Sequence, residues 1–564
     1  MISFFQKFNQ SRKFLSISFI ILFFLFNLTI SDWNCRKDLS KENRFNLTES
    51  TSKIINSLSD KLFIDAFYSS DVPGTHKARL QMAKEILKEI AGVNRSKVEL
   101  RFYDPDGSET AKKKASEAGI KPYTLEKQER GSAEVKQAYF GVRITLGTKT
   151  ETIPVAYAAE SVEYQVLSIL KKLTRKSNTS SLAIAKVNGA FTAPELNQMS
   201  SPNKDTFSVL IHRAYSPENG EPGIVNINIE PVGEEFTSLL VVGTPELSDL
   251  GRYNIDQFLM RGGNLILFIK TMDFQLPDPR QQQFMGMMGN NQQGIAQASP
   301  EASKLKEWTS KYGFEVRSEF ILEPESSMAT DSLVQLENGM LTRYHYPLWP
   351  IATKEGGGVN ETNVLSKTLS GILLPWASGI DVKPEVQLGA KFETIFQSTR
   401  DADRRADFAV IGEEQVANQK INSLGTRIPL AIHIEGKMKS SFTKDSIPKD
   451  TKPELFLSET KEGKKSQIFV SGSPYLLSDV LVKNQYLDFL QKTNIPFILN
   501  LFDIFSGDTD MISTRTKQAY VQNLRPVKKL EQYIFTFMNI LLFPIGIGIF
   551  AFIRLKKRNS GKGF

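Results

Sequence analysis

Two carboxylates at the end of a predicted strand are the nearest that this sequence comes to a catalytic motif. Asp104 and Asp106 stand in the run Asp-Pro-Asp-Gly, directly after the strand-like segment Val98–Tyr103. Paired acids at the carboxyl edge of an α/β sheet could hydrolyse a substrate or hold a cation, because active sites often lie at that edge. The same run also forms an ordinary turn. The sequence favours the turn and leaves a hydrolase that uses Asp104 and Asp106 as an alternative.

Motifs for nucleotide, metal and nucleophilic chemistry are absent from the sequence. No G-x-x-x-x-G-K-[ST] phosphate loop occurs, so the chain is not expected to hydrolyse ATP itself. The four histidines (His76, His212, His345 and His433) are far apart and form no H-E-x-x-H pattern or His/Cys cluster. A G-x-S-x-G nucleophile elbow is also missing. We therefore predict no catalytic residue, no metal site and no cofactor.

Gly243 and Thr244 are candidate ligand or partner residues because of the strand that precedes them. The run Phe236–Gly243 is almost continuously apolar, as is typical of a strand buried in a parallel sheet. A helical segment, Leu250–Met260, and a second apolar run, Asn264–Ile269, follow it. Together they predict a βαβ crossover in a doubly wound sheet, whose ligands bind beyond the carboxyl ends of the strands.

An alternation of strands and helices before this block predicts a compact first α/β domain over residues 45–175. Residues 77–93 carry apolar side chains at helical spacing, and residues 160–173 form a strongly amphipathic helix. Strands are expected at 61–68 and 98–103, and a hairpin is expected around Gly147. A polar linker, residues 174–181, leads to a second α/β domain that is expected to extend over residues 182–530.

Residues 274–300 interrupt the pattern of the second domain. The segment is rich in Gln, Asn, Met and Gly and lacks periodicity, so it predicts a flexible loop, with contact to a partner as the alternative. Residues 440–465 form a Lys-rich polar excursion. Further elements of this domain are expected as strands at 408–411, 429–434 and 467–471 and as helices at 304–312 and 495–505.

Two apolar segments without charged residues, Phe14–Ile30 and Tyr533–Ile553, flank these domains. A spanning helix needs about 17 to 25 apolar residues, so both segments predict transmembrane helices, the first at the lower limit of length. A cleaved signal peptide is the alternative for the first segment, although no A-x-A-like site follows it.

The flanking charges predict the orientation of the chain in the membrane. Residues 1–13 carry three bases, residues 554–564 carry five, and neither tail has an acid, so the positive-inside rule places both tails in the cytoplasm. Without these eight bases, the 70 Lys and Arg residues of the chain match its 62 Asp and Glu residues. The middle of the chain is therefore neutral, which argues against a nucleic-acid-binding protein.

Several blocks in a fixed order resemble one protein family. They are Phe45–Thr48, Leu58–Asp60, LLVVGTPELSDLGRYNIDQFLMRGGNLILFI (239–269), LKEWTSKYGFEV (305–316), YPLWP (346–350), IPLAIHIEGKMKSSF (428–442) and NIPFILNLFDIFSGDTDMISTRTKQ (494–518). In this order, between two terminal apolar segments, they look like the GldG-like family, the gliding-motility-type auxiliary subunits of bacterial ABC transporters. The segments 274–300 and 440–465 look like insertions into the family pattern.

The resemblance implies a non-catalytic, membrane-anchored auxiliary subunit of a bacterial ABC transport system. Its partners would be an ABC permease and an ATP-binding subunit in trans, membrane lipid, and an unknown extracytoplasmic ligand or partner, but no nucleic acid. It would lie in the bacterial cytoplasmic membrane with both termini cytoplasmic and the main domain periplasmic. An envelope hydrolase using Asp104 and Asp106 and a purely structural envelope scaffold are the alternatives.

The expected fold is α/β, with two extracytoplasmic domains that contain mostly parallel sheets and one transmembrane helix at each end. The expected order is a cytoplasmic tail (1–13), a transmembrane helix (14–30), the first domain (45–175), the second domain (182–530) with its flexible loop (274–300), a transmembrane helix (533–553) and a basic cytoplasmic tail (554–564).

Overall fold

The structure is a computed structural model that describes residues 46–129, 132–175, 179–194, 205–274, 294–335, 341–449, 451–482, 484–509, 511–519 and 529–559. The chain divides into two compact units, residues 1–520 and 521–564. Within the first unit, separate apolar cores distinguish two α/β domains.

The described residues of the first domain form four helices and six strands. In chain order they are α1 (Glu49–Ser57), β1 (Leu62–Tyr68), α2 (Gly74–Val93), β2 (Val98–Tyr103), α3 (Glu109–Glu117), β3 (Tyr123–Glu129), β4 (Ser132–Ala138), β5 (Phe140–Leu146), β6 (Lys149–Ile153) and α4 (Ala159–Thr174). The main sheet has the order β2-β1-β5-β6, while β3 and β4 form a separate hairpin.

Helices α2 and α4 supply much of the core of this domain. The apolar positions that predict α2 are all buried: Leu80, Ala83, Ile86, Leu87 and Ile90. This result confirms the helical spacing, because side chains three and four residues apart share one face of a helix. Thr48 begins α1 as a cap whose side chain accepts a hydrogen bond from the amide of Thr51.

The main sheet of the first domain is mixed, whereas the sequence predicts mostly parallel sheets. Strand β1 runs parallel to β2 and antiparallel to β5, and β5 runs antiparallel to β6. A short turn at Gly147, with φ of +58°, connects β5 to β6. Such a turn can join only antiparallel neighbours, since parallel strands need a long crossover.

The second domain is larger and contains many short strands. Its elements are β7 (Thr179–Ala185), a π-helical turn (Leu210–Tyr215), α5 (Ser216–Asn219), β8 (Glu221–Val225), β9 (Ser238–Gly243), α6 (Asp249–Met260), β10 (Asn264–Ile269), β11 (Met272–Asp273), β12 (Ile295–Ala298), α7 (Pro300–Ser310), β13 (Phe314–Val316), β14 (Glu319–Leu322), β15 (Ser327–Gln335), β16 (Leu341–Thr353), β17 (Gly371–Leu373), β18 (Ile380–Val382), β19 (Ala390–Gln397), β20 (Asp403–Ala406), β21 (Phe408–Val410), α8 (Glu413–Ala417), β22 (Pro429–Gly436), β23 (Ser466–Ser471), α9 (Asn484–Lys492), α10 (Asn494–Ser506) and α11 (Ile512–Ala519).

A seven-stranded sheet of order β19-β22-β23-β10-β9-β7-β8 organises the second domain. The five strands from β23 to β8 run parallel to one another, whereas β22 runs antiparallel to β23 and β19 runs antiparallel to β22. Both faces of the sheet are covered: Leu240 and Val242 lie in one apolar core, and Leu239 and Val241 lie in the other. Because alternate side chains point to opposite faces, burial on both sides explains the continuous apolar run of β9.

The predicted loop 274–300 contains a strand at its end. Ile295–Ala298 forms β12, which pairs antiparallel with β11 and with β21. The prediction was wrong for these residues because their partners, Met272–Asp273 and Phe408–Val410, are supplied by distant parts of the chain that no local pattern reveals. Residues 275–293 lie outside the described part of the chain.

The second compact unit contains one long helix, α12 (Lys529–Asn559), which includes the predicted span 533–553. Within the part of the chain that the structure describes, no helix has both the length and the apolar character that a membrane crossing requires. Residues 14–30 lie outside that part. The two terminal transmembrane helices therefore stay predictions.

Candidate functional site

Gly243 and Thr244 lie where a doubly wound sheet usually holds its ligand. Strand β7 lies between β8 and β9 in the sheet, so the direction of winding reverses between β7 and β9. Ligands of such sheets bind at this reversal, beyond the carboxyl ends of the strands. Gly243 is the last residue of β9. The structure therefore brings both predicted residues to the expected edge of the sheet.

Hydrogen bonds between residues of the chain itself occupy this edge of the sheet. The amide of Thr244 donates to the carbonyl of Gly189, 2.9 Å away, in the loop after β7. The Thr244 hydroxyl donates to the carbonyl of Lys270, at 2.7 Å, after β10. Gly243 has a φ of +100°, and a side chain there would meet the carbonyl oxygen of Gly189 at 2.7 Å. Gly243 and Thr244 thus fasten the loops that follow β7 and β10 to the sheet.

An ion pair between Lys270 and Asp205, packed against aromatic rings, lies next to this contact. The ammonium of Lys270 lies 3.2 Å from Oδ2 of Asp205, and the Tyr475 hydroxyl donates to Oδ1 of Asp205 at 3.1 Å. Burial, together with the Asp205 carboxylate, raises the pKa of Tyr475, so the phenol remains a donor. Lys270 also lies over the ring of Phe274, 5.4 Å from its centroid. The charged groups at this edge are therefore engaged with other parts of the fold.

Asp104 serves as a turn cap. Its Oδ1 accepts hydrogen bonds from the amides of Asp106, at 3.0 Å, and Ser70, at 3.3 Å. Burial raises the pKa of Asp104, but the hydrogen bonds from Ser70 and from the amides of Asp106 and Gly107 outweigh it and hold the pKa below its usual value. Asp106 is exposed. This geometry favours the turn interpretation over the hydrolase.

We expect Asp104→Ala to lower the free energy of unfolding by about 1 kcal/mol, because two amides lose their acceptor. Asp106→Ala, at an exposed site, should change it little. Since the pKa of Asp104 is depressed in the folded state, its contribution is present above the unfolded pKa and is lost as the pH falls through the folded pKa. Urea denaturation at neutral and acid pH measures both effects. Unchanged stability combined with loss of a hydrolytic activity in both variants would support the hydrolase instead.

The histidines and acids that the structure describes form no metal centre. Among the described residues, no three or more His, Cys, Asp or Glu side chains are grouped so that they could hold a metal ion. His433 contacts the side-chain oxygen of Gln467 at 3.0 Å, and burial lowers the pKa of His433. His345 lies 2.9 Å from the carbonyl of Ser327. Each of these two histidines is thus held by its own local partner.

A cavity of about 350 Å³ lies at the opposite, amino edge of the seven-stranded sheet, where the two α/β domains meet. Apart from the ring of one tyrosine, its lining is polar or charged and comes from α4, β7, α5, α10 and the segments next to them. The lining residues are Lys171, Thr174, Arg175, Ser180, Ser181, Tyr215, Glu218, Asn219, Asp503, Ser506 and Asp508. Clefts between domains are common places for ligands and for movement.

Lys171 of the first domain forms ion pairs with acids of the second domain across this cavity. Its ammonium lies 2.9 Å from Oδ2 of Asp508 and 3.8 Å from Oδ1 of Asp503, and it donates to the side-chain oxygen of Asn219 at 2.5 Å. Lys171 is largely buried, with 17% of its side chain exposed. The last turn of α4 is therefore attached to the second domain by polar contacts.

Arg515 of α11 lies behind the cavity and is almost fully buried, with 2% of its side chain exposed. Its two terminal nitrogens donate to Glu218 and Asp503, each at 2.8 Å, and one of them also donates to Asn500 at 2.7 Å. Burial lowers the pKa of Arg515, but the carboxylates of Asp503 and Glu218 outweigh it and raise the pKa above its ordinary value. Arg515 is thus a permanent cation shared by two buried acids.

The sequence did not single out this cluster of Arg515, Glu218, Asp503 and Lys171. Two of its members, Asp503 and Arg515, stand in the block 494–518 that carries the family resemblance, but no motif distinguishes them there. One signal was present: Asp503 is the only charged residue of α10, an otherwise mostly apolar helix. A lone acid in such a helix predicts a buried partner, since unpaired buried charges are strongly unfavourable.

Two family models match the chain, one in each α/β domain. A model described as "ABC-type uncharacterized transport system" matches residues 180–502, which is more than half of the chain. A model described as a domain of unknown function matches residues 41–145.

A similar protein and two similar structures give the wider context. An uncharacterized protein of Borreliella burgdorferi (strain B31) is 21% identical over 556 residues, which cover 97% of this chain and 98% of the relative. The mmIFT52 N-terminal domain is 9% identical, with a TM-score of 0.29, over 58% of this chain and 97% of that structure. An exo-beta-1,4-mannosidase of an Opitutaceae bacterium is 10% identical, with a TM-score of 0.21, over 81% of this chain and 54% of that structure. Neither score supports a common fold.

Proposed function

The chain belongs to the ABC-type uncharacterized transport system family, and from that premise we propose that it is a non-catalytic auxiliary subunit of such a system. The observation that carries the proposal is the family match over residues 180–502. It indicates a transport-associated accessory protein. The finer assignment to the gliding-motility-type, GldG-like subunits rests on the ordered sequence blocks and is part of the proposal.

We assign ATP hydrolysis to a separate subunit. An ABC transport system needs a phosphate loop to bind ATP, and this sequence has none. The acids that could have suggested another hydrolytic activity do not support one, because Asp104 caps a turn through Ser70 and Asp106. An ABC permease and an ATP-binding subunit in trans are therefore the proposed partners.

We propose that the apolar ends of the chain attach it to the permease and to membrane lipid. Helix α12 presents a large exposed apolar surface, which is typical of a contact with another protein or with a membrane. Its exposed apolar side chains are Tyr533, Ile534, Phe535, Phe537, Met538, Ile540, Ile545, Ile547, Ile549, Phe550, Phe552, Ile553 and Leu555. The basic tails, 1–13 and 554–564, favour cytoplasmic termini and a periplasmic main domain at the bacterial cytoplasmic membrane.

Affinity purification of the full-length chain in mild detergent tests the assignment. We expect an ABC permease and an ATPase with a phosphate loop to be recovered with the tagged chain and identified by mass spectrometry. Ile540→Lys combined with Ile547→Lys should reduce this recovery at least tenfold, because both side chains are exposed on α12. Leu388→Lys is the matched control, since Leu388 is 87% exposed in the second domain and should leave recovery unchanged.

The outcomes of this experiment separate the proposal from its alternatives. Recovery of neither transporter component would contradict the auxiliary-subunit proposal and leave the envelope scaffold as the better explanation. Equal recovery with the α12 variants and with Leu388→Lys would show that α12 is not the site of attachment.

A further inference from the structure

The two α/β domains have separate apolar cores, and one residue crosses between them. Among the described residues, the core of the first domain is built from side chains between Ile55 and Leu173, with one exception. That exception is Met511, which is fully buried there although it follows α10 of the second domain. The two cores of the second domain contain no described residue from the first. Met511 is therefore the apolar link between the domains.

Polar groups also connect α4 of the first domain with α5 of the second. The hydroxyl of Tyr164 donates to Glu218, and the hydroxyl of Ser168 lies 3.2 Å from the same carboxylate oxygen. Lys171 binds Asn219, as described above, and the guanidinium of Arg175 donates to the carbonyl of Ser216 at 3.4 Å. Helix α4 is thus attached to α5 through hydrogen bonds and charges.

Helix α11 holds both sides of this junction at once. Met511, directly before α11, lies in the first domain's core, while Arg515 binds Glu218 and Asp503 of the second domain. The Arg515 guanidinium also lies 5.7 Å from the ring centroid of Tyr164 in the first domain. Its Nε is buried and has no hydrogen-bond partner. The short helix α11 therefore contacts both domains, and the Nε donor of Arg515 is left without an acceptor.

The polar composition of the junction lowers the free-energy cost of separating the two α/β domains. A buried ion pair is costly to break by removing one partner, but the cost falls when water reaches both partners, because each charge is then hydrated. The polar cavity of about 350 Å³ lies beside the charges of Lys171, Glu218 and Asp503, so its walls offer water hydrogen-bonding groups. An apolar interface of the same extent would have no such compensation.

We propose that α11 is a releasable clamp between the two α/β domains. With Met511 and Arg515 in place the domains form one body; when α11 withdraws, α4 separates from α5 and the cavity between them opens. The proposal goes beyond the proposed function, since it concerns a movement within this chain and holds for any partner.

Hydrogen exchange of the full-length chain, followed by mass spectrometry, tests the clamp. Arg515→Met removes the charge and keeps an apolar stem. We expect it to raise the exchange rates of α4, α5 and α11 together by at least tenfold, and to leave β1, β9 and β10 unchanged. Arg143→Met is the matched control, because Arg143 pairs with Asp65 inside the first domain, with nitrogen and oxygen 2.6 Å apart. It should raise exchange in β1 and β5 only.

Two results of this experiment would overturn the proposal. One is faster exchange of β9 and β10 in Arg515→Met, which would make Arg515 a stabiliser of the second domain as a whole. The other is faster exchange of α11 alone, with α4 and α5 unchanged, which would show that α11 does not hold the domains together.

An engineered disulfide provides a second, independent measurement. The hydroxyl oxygens of Ser50 in α1 and Ser513 in α11 lie 3.2 Å apart, so Ser50→Cys with Ser513→Cys should bridge α11 to the first domain. Cys35, the only natural cysteine, is replaced by serine. In the Arg515→Met background, oxidation of this pair should restore at least half of the lost protection of α4. Unchanged exchange of α4 after oxidation would contradict the clamp.

A disulfide within one domain is the control for oxidation itself. The hydroxyl oxygens of Thr145 and Thr150 lie 3.1 Å apart across the β5–β6 hairpin of the first domain. Oxidation of Thr145→Cys with Thr150→Cys in the Arg515→Met background should leave α4 exchanging rapidly. Equal protection of α4 by both disulfides would mean that stiffening of the first domain, and no clamp, explains the result.

Discussion

Gly189→Ala is expected to lower the free energy of unfolding of the second domain by about 3 kcal/mol. Gly189 has a φ of +73°, which costs a residue with a side chain about 1–2 kcal/mol. A Cβ atom there would lie 2.1 Å from the carbonyl oxygen of Thr244, so the backbone must move, and overpacking of this kind costs about 1–3 kcal/mol. The displaced carbonyl belongs to Thr244, whose amide donates to the carbonyl of Gly189 and so fastens the loop after β7 to the sheet.

Gly463→Ala separates the two parts of this effect. Gly463 has a φ of +75°, almost the same as that of Gly189, but nothing lies within 4 Å of the position of its Cβ. It should therefore show the backbone term alone, about 1 kcal/mol. Urea denaturation followed by tryptophan fluorescence measures both variants, because Trp308, Trp349 and Trp376 lie in the second domain. Equal losses in the two variants would show that the Gly189–Thr244 contact has little energetic weight.

The close approach of Gly189 to Thr244 also explains why a loop of the chain itself covers the edge of the sheet where a ligand is expected. The winding of the sheet reverses between β7 and β9, but the loop after β7 lies directly on the end of β9. The polar cavity of about 350 Å³ lies at the other end of these strands, between the two domains. A change at Gly189 should thus disturb the fold of this edge and leave the junction of the domains intact.

The parts of the fold that follow local patterns could be predicted from the sequence. The apolar runs 236–243 and 264–269 correspond to β9 and β10, parallel neighbours joined by α6, because strands buried on both faces have no polar alternation. Gly262, with φ of +94° after the end of α6, fits the predicted helix end. The Asp-Pro-Asp-Gly run could be recognised as a turn because one of its hydrogen bonds joins Asp104 to the amide of Asp106, two residues further on.

Contacts between distant residues could not be predicted in this way. Arg515 and Glu218 are 297 residues apart, and neither has a sequence neighbour that would indicate its partner. The antiparallel pairing of β22 with β23 likewise joins strands that a long connection separates, and no periodicity in the sequence indicates that these two strands pair. The junction of the domains consists almost entirely of such contacts. For this reason the sequence indicated the elements of each domain but missed the cluster that joins them.

Asp256 of α6 is a second buried group that the sequence did not reveal. Its side chain is fully buried, and its oxygens accept hydrogen bonds from the Tyr312 hydroxyl at 2.5 Å, the Ser441 amide at 2.7 Å and the Ser440 hydroxyl at 2.7 Å. The side-chain amide of Gln257 and the Ser441 hydroxyl donate to it as well, at 2.9 and 3.0 Å. One carboxylate thereby joins α6, the residue two positions after α7, and the start of the Lys-rich segment 440–465.

We expect Asp256→Ala to lower the free energy of unfolding of the second domain by about 3–5 kcal/mol. Hydrogen bonds to a charged acceptor contribute about 1.5–3 kcal/mol each, and removing the shared acceptor leaves several buried donors unsatisfied at once. Tyr312→Phe removes one of these donors and keeps the acceptor, so it should cost about 1.5–3 kcal/mol. Urea denaturation of the single and double variants measures the coupling between the two residues.

The double variant decides what the carboxylate does. If Asp256 acts by accepting these hydrogen bonds, Tyr312→Phe should cost clearly less when Asp256 is already alanine, because the phenol then has no charged acceptor to lose. Asp256→Asn keeps the shape and loses the charge, and it should fall between the native residue and alanine, since an amide can accept from fewer of the donors. A loss for Asp256→Ala no larger than that for Tyr312→Phe would contradict the shared-acceptor role and assign the anchoring of residues 440 and 441 to other contacts.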